Sequence, residues 1–216
     1  MTRVFRPELP VPRVAGVVLA AGESRRFGSP KALATVGGRA LVERAVRLAH
    51  RAGLSPVVVV VGHEAEAVRA ALAGVRVDVV ANPRYRDGQS TSLHAGLDAL
   101  PGDVEAAVFI PVDQPWLTPG VLVALRARLE GAARAVVPVA QGQRRAPVVF
   151  HRDVFPLLRS IEGDVGGRAV FDRLGTGLVE VPFEDEAPFR DVDTPADLDA
   201  GPEQPAARRG RRRKRC

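Results

Sequence analysis

A basic stretch near the beginning of the sequence has the residue types needed to hold a phosphate-bearing ligand. It reads LAAGESRRFGSPK from Leu19 to Lys31. We expect Arg26 and Lys31 to contact a polyphosphate, because a guanidinium offers a forked donor to phosphate oxygens and an ammonium a point charge. The small residues before them would let a planar nucleotide base lie close to the backbone. These predicted base-binding residues are Leu19, Ala20, Ala21 and Gly22. The alternative is an ordinary basic loop between a strand and a helix.

Three aspartates are candidates for holding a metal ion. Asp113 follows a buried apolar run, so its carboxylate should emerge at the edge of a predicted sheet. A hard oxygen ligand at that place suits Mg²⁺. Asp193 is our candidate for a second ligand, with Asp191 as its substitute. The alternative for all three is local, because aspartates commonly occupy turns or cap helix N-termini.

A polar segment, GQSTS at 88–92, precedes an apolar pattern of helical period. Backbone amides and hydroxyls converge at such a helix start, where the helix dipole favours an anion or a polar edge. We therefore predict that Ser90 and Ser92 contact the nucleotide, and that Asn82, which precedes a proline, does so as well. A helix cap at Ser90 and a simple turn at Asn82 are the alternatives.

The glycine-rich loop GDVGGR at 163–168 is the candidate contact for a second substrate. Its Arg168 is suited to donate to a phosphate, and Asp164 lies in the same loop. A tight turn between two helices is the alternative. The sequence offers no cysteine pair for a zinc cluster or a disulfide, because its one cysteine is Cys216.

Short, valine-rich apolar runs must position these residues. Most of the runs lack alternation, which is typical of strands buried on both faces of a sheet. The predicted strands are 14–20, 56–61, 75–81, 106–112, 135–139, 148–150 and 177–181. The predicted helices lie at 41–52, 64–72, 93–100, 121–129 and 153–159, up to 174, and after 194. This order predicts a three-layer, doubly wound α/β domain with a mainly parallel sheet, which binds ligands beyond the carboxyl ends of its strands.

The charge of the chain is concentrated at its C-terminal end. The 216 residues include 31 basic and 25 acidic ones, and the last sixteen hold seven basic residues and one acidic residue, which leaves 24 of each sign in residues 1–200. We divide the chain into an N-terminal lead at 1–13, a domain at 14–200 and a disordered basic tail at 201–216. Because the domain is neutral and the chain has one Tyr and one Trp, we expect no nucleic-acid partner. We also expect no membrane partner, and a cytoplasmic location.

The motif L-A-A-G-x-S-x-R-x-G-x-x-K resembles the signature loop of the molybdopterin nucleotidyltransferase family. Four further stretches follow in the order of that family: GQSTSLHAGL, PVDQP, GDVGGR and DVDTPADL. The resemblance covers residues 14–199. It implies a fold of the nucleotide-diphospho-sugar transferase type, which is Rossmann-like and similar to that of GT-A enzymes.

Within the family the sequence is similar to the cytidylyltransferase branch, because it has Leu-Ala-Ala-Gly where guanylyltransferases have Leu-Ala-Gly-Gly. The resemblance implies transfer of CMP from CTP to the phosphate of a molybdopterin-type molybdenum cofactor, with Mg²⁺ and without a covalent nucleophile. Lys31, Arg26 and Asp113 would be the catalytic residues, and a recipient molybdoenzyme would be a further partner. The chain departs from the family's Arg-Gly-His-Pro-Val with RRAPV at 144–148.

Three other functions fit part of the pattern. The same fold would serve GTP or a sugar phosphate as substrate. A chaperone would bind the nucleotide and carry the cofactor without catalysis, although Lys31 and Asp113 argue against this, because binding alone does not need a metal ligand. The basic tail would bind nucleic acid by counterion release.

Overall fold

The computed structural model describes residues 13–24 and 27–201. The strands are β1 (Val14–Ala20), β2 (Thr35–Val36), β3 (Arg39–Ala40), β4 (Val57–Val61), β5 (Asp78–Ala81), β6 (Ala106–Pro111), β7 (Ala135–Ala140), β8 (Gln143–Arg144), β9 (Val148–His151) and β10 (Leu178–Phe183). The α-helices are α1 (Leu41–Arg51), α2 (Ala65–Ala71), α3 (Gln89–Asp98), α4 (Pro119–Arg126), α5 (Phe155–Arg159), α6 (Phe171–Leu174) and α7 (Pro195–Ala200). In this part of the chain no helix has the length and apolar character needed to cross a membrane.

The main sheet has the order β10-β7-β9-β6-β1-β4-β5, and β8 pairs with β7 at its side. β1 is an inner strand and pairs in parallel with β4 and β6. β9 runs antiparallel to both of its neighbours, β6 and β7, while β10 is again parallel to β7. The predicted mainly parallel sheet is therefore confirmed.

Helices cover both faces of the sheet. Alternate residues of β1 contribute to different cores, Val18 to the core beneath α1 and α4 and Val17 to the core beneath α3, α5 and α6. Val57–Val61 is buried along its whole length, as expected for a central strand with helices on either side. The result is the predicted three-layer α/β/α arrangement.

The order in which strands are added to the sheet changes side at β1. After β1 it leads to β4 and β5 on one side, and after β6 it leads to β9 and β7 on the other. The carboxyl ends of β1 and β6 therefore lie side by side where the connections diverge, which is where sheets of this type leave a crevice.

Several element bounds differ from the sequence prediction by a few residues, and the unpredicted β8 pairs with β7. Two differences are the most instructive. The strand predicted at 75–81 begins only at Asp78, because this edge strand has β4 as its partner and pairs with Val58 to Val61. The β2–β3 hairpin was not predicted. Its two-residue turn is Gly37-Gly38, with φ of 60° and 76°, and glycine accepts such positive φ values without strain.

Candidate active site

A cleft of about 760 Å³ lies at the carboxyl ends of β1 and β6. Its walls are segments 19–24, 85–89 and 111–113, together with Ala32, Ser92 and Asp164. Most of the candidate residues therefore come together although they are spread over more than 140 positions of the sequence. The position is the one that the strand order predicts for a ligand.

Lys31 connects three segments of the chain at one end of the cleft. Its backbone N–H donates to Ser24 Oγ at 3.2 Å, and its Nζ donates to Asp113 Oδ2 at 3.2 Å and to Asp193 Oδ1 at 3.3 Å. The residue is only 9% exposed, and a buried ammonium needs such charged partners to offset its desolvation. Arg26, the other predicted phosphate contact, lies outside the described residues.

The segment that carries Asp193 is attached to the end of β6. The Val192 N–H donates to the Asp113 carbonyl oxygen at 2.8 Å, and Gln114 Nε2 donates to Asp191 Oδ1 at 2.9 Å. Removal of the Asp191 carboxyl from water, followed by the negative charge of Asp113, raises the pKa of Asp191. Asp191 is thus part of the cluster, but its hydrogen bond is to Gln114, whereas Lys31 contacts Asp113 and Asp193.

A capping box at α7 fixes the backbone next to Asp193. As the sequence predicts, α7 begins at Pro195 with Thr194 as its N-cap. Asp197 Oδ2 accepts hydrogen bonds from the backbone N–H of Thr194 at 2.7 Å and of Asp193 at 2.9 Å. Burial alone would raise the pKa of Asp197, but the hydrogen bonds from Thr194 and Asp193 outweigh it and lower that pKa.

Asp113 and Asp193 could together hold a cation whose other ligands are water molecules and substrate oxygens. In the described ranges, no three His, Cys, Asp or Glu side chains converge into a group that could hold a metal ion. Asp113 and Asp193 are nevertheless brought to the same ammonium group. Two carboxylates, completed by water and phosphate oxygens, match the usual coordination of Mg²⁺.

The predicted base-binding residues also line the cleft, and one of their backbone groups makes a contact within the protein. The Ala21 carbonyl oxygen accepts a hydrogen bond from the His63 N–H at 3.2 Å, which leaves one of its two lone pairs for a ligand. Leu19, Ala20, Ala21 and Gly22 all line the cleft.

Asn82, Ser90 and Ser92 occupy different positions. Ser92 lines the cleft, whereas Ser90 and Asn82 are buried, at 1% and 4% exposure, and are not among the lining residues. The Asn82 Nδ2 donates to Thr91 Oγ1 at 2.9 Å and to Ser92 Oγ at 3.0 Å. Asn82 therefore supports the cleft wall from beneath. Ser90 does not cap α3, because the N-cap position belongs to Gly88.

The loop at 163–168 packs directly on the start of α3. Gly88 has φ of +117°, and a Cβ there would lie 2.3 Å from the Gly163 carbonyl carbon and 2.6 Å from Asp164 N. The Ser90 N–H donates to the Gly163 carbonyl oxygen at 3.2 Å. The predicted nucleotide segment and the predicted acceptor loop are therefore in backbone contact.

A second cavity of about 300 Å³ opens beside the cleft. Its lining is mainly apolar and includes Phe109, Phe150 and Val148, and Arg168 lies at its wall. The two cavities share Leu19, Gln89 and Pro111. Arg168 thus borders the smaller cavity and Asp164 the larger, so the two predicted acceptor contacts lie in adjoining spaces.

The sequence analysis missed a pair that joins two walls of the cleft. Arg86 Nε donates to Glu23 Oε1 at 2.9 Å, and the Arg86 guanidinium carbon lies 5.3 Å from the centre of the Tyr85 ring. A signal was present, because YRD at 85–87 places an aromatic and a cation just before the polar segment 88–92. The contact with Glu23 needs the fold to bring two distant loops together.

Comparison with known proteins places these features in a family. The sequence matches the profile of the MobA-like NTP transferase domain over residues 16–178. It is 38% identical to nicotine blue oxidoreductase of Paenarthrobacter nicotinovorans over 195 residues, which cover 85% of this chain and 94% of that protein. It is 34% identical to the bifunctional protein GlmU of Sorangium cellulosum over 166 residues, which cover 73% of this chain and 34% of GlmU. The chain thus spans about a third of that second relative.

A solved structure shows the same architecture. Rv0371c from Mycobacterium tuberculosis H37Rv superposes with a TM-score of 0.75 at 28% identity, covering 89% of this chain and 98% of that one. A complex of Rv0371c with manganese has a TM-score of 0.66 at 26% identity, covering 80% of this chain and 89% of that one. The likeness confirms the predicted fold class, a doubly wound, mainly parallel sheet of the nucleotide-diphospho-sugar transferase type.

Proposed function

Since the chain belongs to the MobA-like NTP transferase family and is a nucleotidyltransferase, we propose that it transfers CMP from CTP to the phosphate of a molybdopterin-type cofactor. The observation that carries this proposal is the contact of Lys31 with both Asp113 and Asp193 at the end of a nucleotide-sized cleft. Simple binding of a nucleotide would not need two carboxylates beside a buried cation. We assign the catalytic domain to residues 14–200, which include the matched range.

The reaction joins the acceptor phosphate to CMP. An oxygen of that phosphate attacks the α-phosphorus of CTP, the bond from the α-phosphorus to the bridging oxygen breaks, and pyrophosphate leaves. Lys31 holds the triphosphate through its ammonium group. On the sequence argument, Arg26 also neutralises the negative charge of the triphosphate. No covalent step through the protein is required, because such transfers depend on alignment and on neutralisation of charge.

We assign Asp113 and Asp193 to hold a magnesium ion. A bound divalent cation would neutralise charge that develops on the triphosphate. The manganese complex of Rv0371c supports a divalent cation in this fold. With the cation bound, the two carboxylates would divide their contacts between it and Lys31, and the ammonium group would be available to phosphate oxygens.

We place the cytosine beside segment 19–22 and the ribose and phosphates along Ser92 and the start of α3. Ala21 lines the cleft although it is only 4% exposed, and we infer that a base beside it meets a firm wall, which suits the smaller pyrimidine better than a purine. In this arrangement Asn82 and Ser90 act from beneath the nucleotide. GTP as substrate is the alternative within the same fold.

We place the acceptor against the loop at 163–168, with its ring system in the apolar cavity and its phosphate near Arg168. The cavity adjoins the nucleotide cleft at Leu19, Gln89 and Pro111, which would bring the acceptor phosphate towards the α-phosphorus. Its lining of Phe109, Phe150 and Val148 suits a flat ring better than a sugar. A sugar phosphate, the other acceptor that this fold would serve, is therefore the weaker acceptor candidate.

One relative favours a second candidate function. Nicotine blue oxidoreductase matches over 94% of its own length, so the same single domain serves a protein named for redox chemistry. In this chain the cleft would then hold a nicotinamide dinucleotide and the apolar cavity a flat oxidised ring. The cluster of Lys31, Asp113 and Asp193 is left without a role in that case, which is why we favour nucleotidyl transfer.

One assay separates these functions. The purified protein is incubated with Mg²⁺, each nucleoside triphosphate labelled at the α-phosphate, and either molybdopterin or a sugar phosphate, and both pyrophosphate and labelled product are measured. A parallel incubation contains NADH or NADPH and a flat dye. We expect both products with CTP. Preference for GTP would show that the nucleotide substrate is GTP and not CTP. Product formed only with a sugar phosphate would show that the acceptor is a sugar phosphate. Oxidation of NADH or NADPH with a flat dye, without any triphosphate turnover, would establish the redox function instead.

A further inference from the structure

A basic surface lies beside the active cleft, along the outer side of helix α1. Two depressions, of about 100 and 360 Å³, follow helix α1 and share Arg47 and Arg51 in their linings. Neither lining includes an aspartate or a glutamate. We call this surface the arginine groove, and its arginines are Arg39, Arg44, Arg47, Arg51 and Arg76.

The sequence of α1 explains why the arginines lie together. Arg44, Arg47 and Arg51 are spaced by three and four residues, which places them on one side of a helix. Val42 and Val46, on another side, are completely buried against the sheet. The helix is therefore amphipathic, and its outer side has no hydrophobic residue that would need covering by another element.

Positive charge in the groove is not balanced by its neighbours. Glu43 is the single acidic residue that forms ion pairs with the groove arginines of the described chain, and it reaches Arg47 at 2.7 Å and Arg39 at 3.7 Å. Arg51 and Arg76 are exposed and form no ion pair within residues 13–24 and 27–201. Five arginines against one glutamate leave a formal excess of four positive charges.

We propose that the arginine groove docks an acidic segment of a partner protein. The charges are spread along α1, whose 11 residues extend over about 16 Å, so they match an extended chain of carboxylates better than one small anion. The chain's own residues 201–216 are excluded as the occupant, because they hold seven basic residues and one acidic residue. The linings contain no Phe, Tyr or Trp on which bases would stack in succession, and His50 is their one aromatic ring.

The groove adjoins the active cleft through the segment that carries Asp113. Val112, Gln114 and Pro115 line the groove, and Arg44 Nη2 donates to the Pro115 carbonyl oxygen at 3.0 Å. A bound partner would therefore contact the residues on either side of Asp113. Docking itself does not depend on which nucleotide or acceptor the cleft uses.

The test measures binding of a fluorescein-labelled, glutamate-rich peptide of about 12 residues by fluorescence anisotropy. The full chain is compared with the double variant Arg47→Glu/Arg51→Glu at 50 and 300 mM salt. We expect the variant to bind at least about tenfold more weakly at low salt, and we expect high salt to remove most of this difference. Nucleotidyl transfer should be unchanged, because both side chains lie outside the cleft. The melting temperature should fall by no more than a few degrees, because Arg47→Glu replaces the surface ion pair with Glu43 by a pair of like charges.

The matched control is Arg152→Glu/Arg173→Glu, which reverses two exposed arginines outside the groove. It changes the net charge equally and should reduce peptide binding less than threefold. Equal losses in both variants, or no binding of the peptide by the parent chain, would overturn the proposal. A 15-base-pair DNA duplex is the second probe. If it binds more tightly than the peptide and depends on Arg47 and Arg51, the groove is a nucleic-acid surface and the proposal is wrong.

Discussion

The two ends of the active cleft are built by different means. At one end, Lys31, Asp113 and Asp193 are held by their mutual charge attraction, with donor–acceptor distances of 3.2 and 3.3 Å. At the other end, Gly88 and Gly163 are in backbone contact, without any side chain between them. The first end thus depends on which charges are present, and the second on the absence of a Cβ atom. The two should respond to different kinds of substitution.

Asp113→Asn is expected to have the largest effect, because it removes a charge and leaves the shape of the charged end unchanged. Loss of one positioned electrostatic contact commonly lowers kcat by about 10²- to 10³-fold, and we expect the upper part of that range. The melting temperature should fall by no more than a few degrees, since Lys31 keeps its contact with Asp193. Pyrophosphate release and thermal melting are measured in parallel.

The matched control for this variant is Asp87→Asn, which removes a carboxylate from the cleft wall at a site where it pairs with Arg84. Its activity should stay within about threefold of the parent. Activity of Asp113→Asn in that same range would exclude Asp113 from the metal site.

Gly88→Ala is expected to have the next largest effect, because it disturbs the uncharged end. The new methyl group would lie 2.3 Å from the Gly163 carbonyl carbon, and φ of +117° is unfavourable for alanine. The loop at 163–168 must then move away from α3. We expect kcat/KM for the acceptor to fall about 100-fold, mostly through KM, while the KM for the nucleotide changes less than fivefold.

Gly102→Ala is the control for this steric effect, since a Cβ at Gly102 meets no atom within 4 Å. It should leave both KM values unchanged. An equal rise of both KM values in Gly88→Ala would mean that the nucleotide segment at 88–92 is displaced together with the acceptor loop.

Ala21→Gly tests the predicted base-binding segment of the cleft. Removing this methyl group adds room and backbone freedom, so the preference for CTP over GTP should weaken by about tenfold in the ratio of kcat/KM values. The ratio is measured with the same acceptor in parent and variant. Ala32→Gly makes the same chemical change elsewhere on the wall and should leave the ratio unchanged. An unchanged ratio in Ala21→Gly would shift base recognition to segment 88–92.

Deletion of residues 202–216 should have the smallest effect, since seven basic residues against one acidic residue make this segment repel itself. Turnover and melting temperature should stay within about twofold and about 2 °C of the parent, because a segment of like charges buries little surface. Gly201 is retained, as its carbonyl oxygen accepts from Arg190 Nη1 at 3.3 Å. A large loss of stability would show that the segment packs against the domain.

The sequence predicts the parts of the molecule that local pattern determines. Valine runs predicted the central strands, and Asp113 could be placed at the end of β6 because it directly follows such a run. Thr194 and Pro195 likewise marked the start of α7, which the structure confirms. In each case the information lies within a few residues of the chain.

Contacts between distant segments were not predictable in this way. The partners Lys31 and Asp193 are 162 positions apart, and Gly88 meets Gly163 only because α3 and the loop after α5 pack on the same face of the sheet. The hydrogen bonds of Asn82 to Thr91 and Ser92 depend on how the chain turns after β5. Such contacts depend on how the whole chain folds, and the spacing of residues along the sequence does not predict them.

The late position of Asp193 has a consequence for how the protein is made. The ten strands found in residues 13–24 and 27–201 all end by Phe183, so a nascent chain can complete the described sheet before Asp193 leaves the ribosome. Until then the Lys31 ammonium lacks one of its two carboxylates. A product of interrupted translation or of C-terminal proteolysis that ends before this residue would resemble the finished protein in outline but lack the full charged cluster. Enzymatic activity would therefore report that synthesis has passed residue 193.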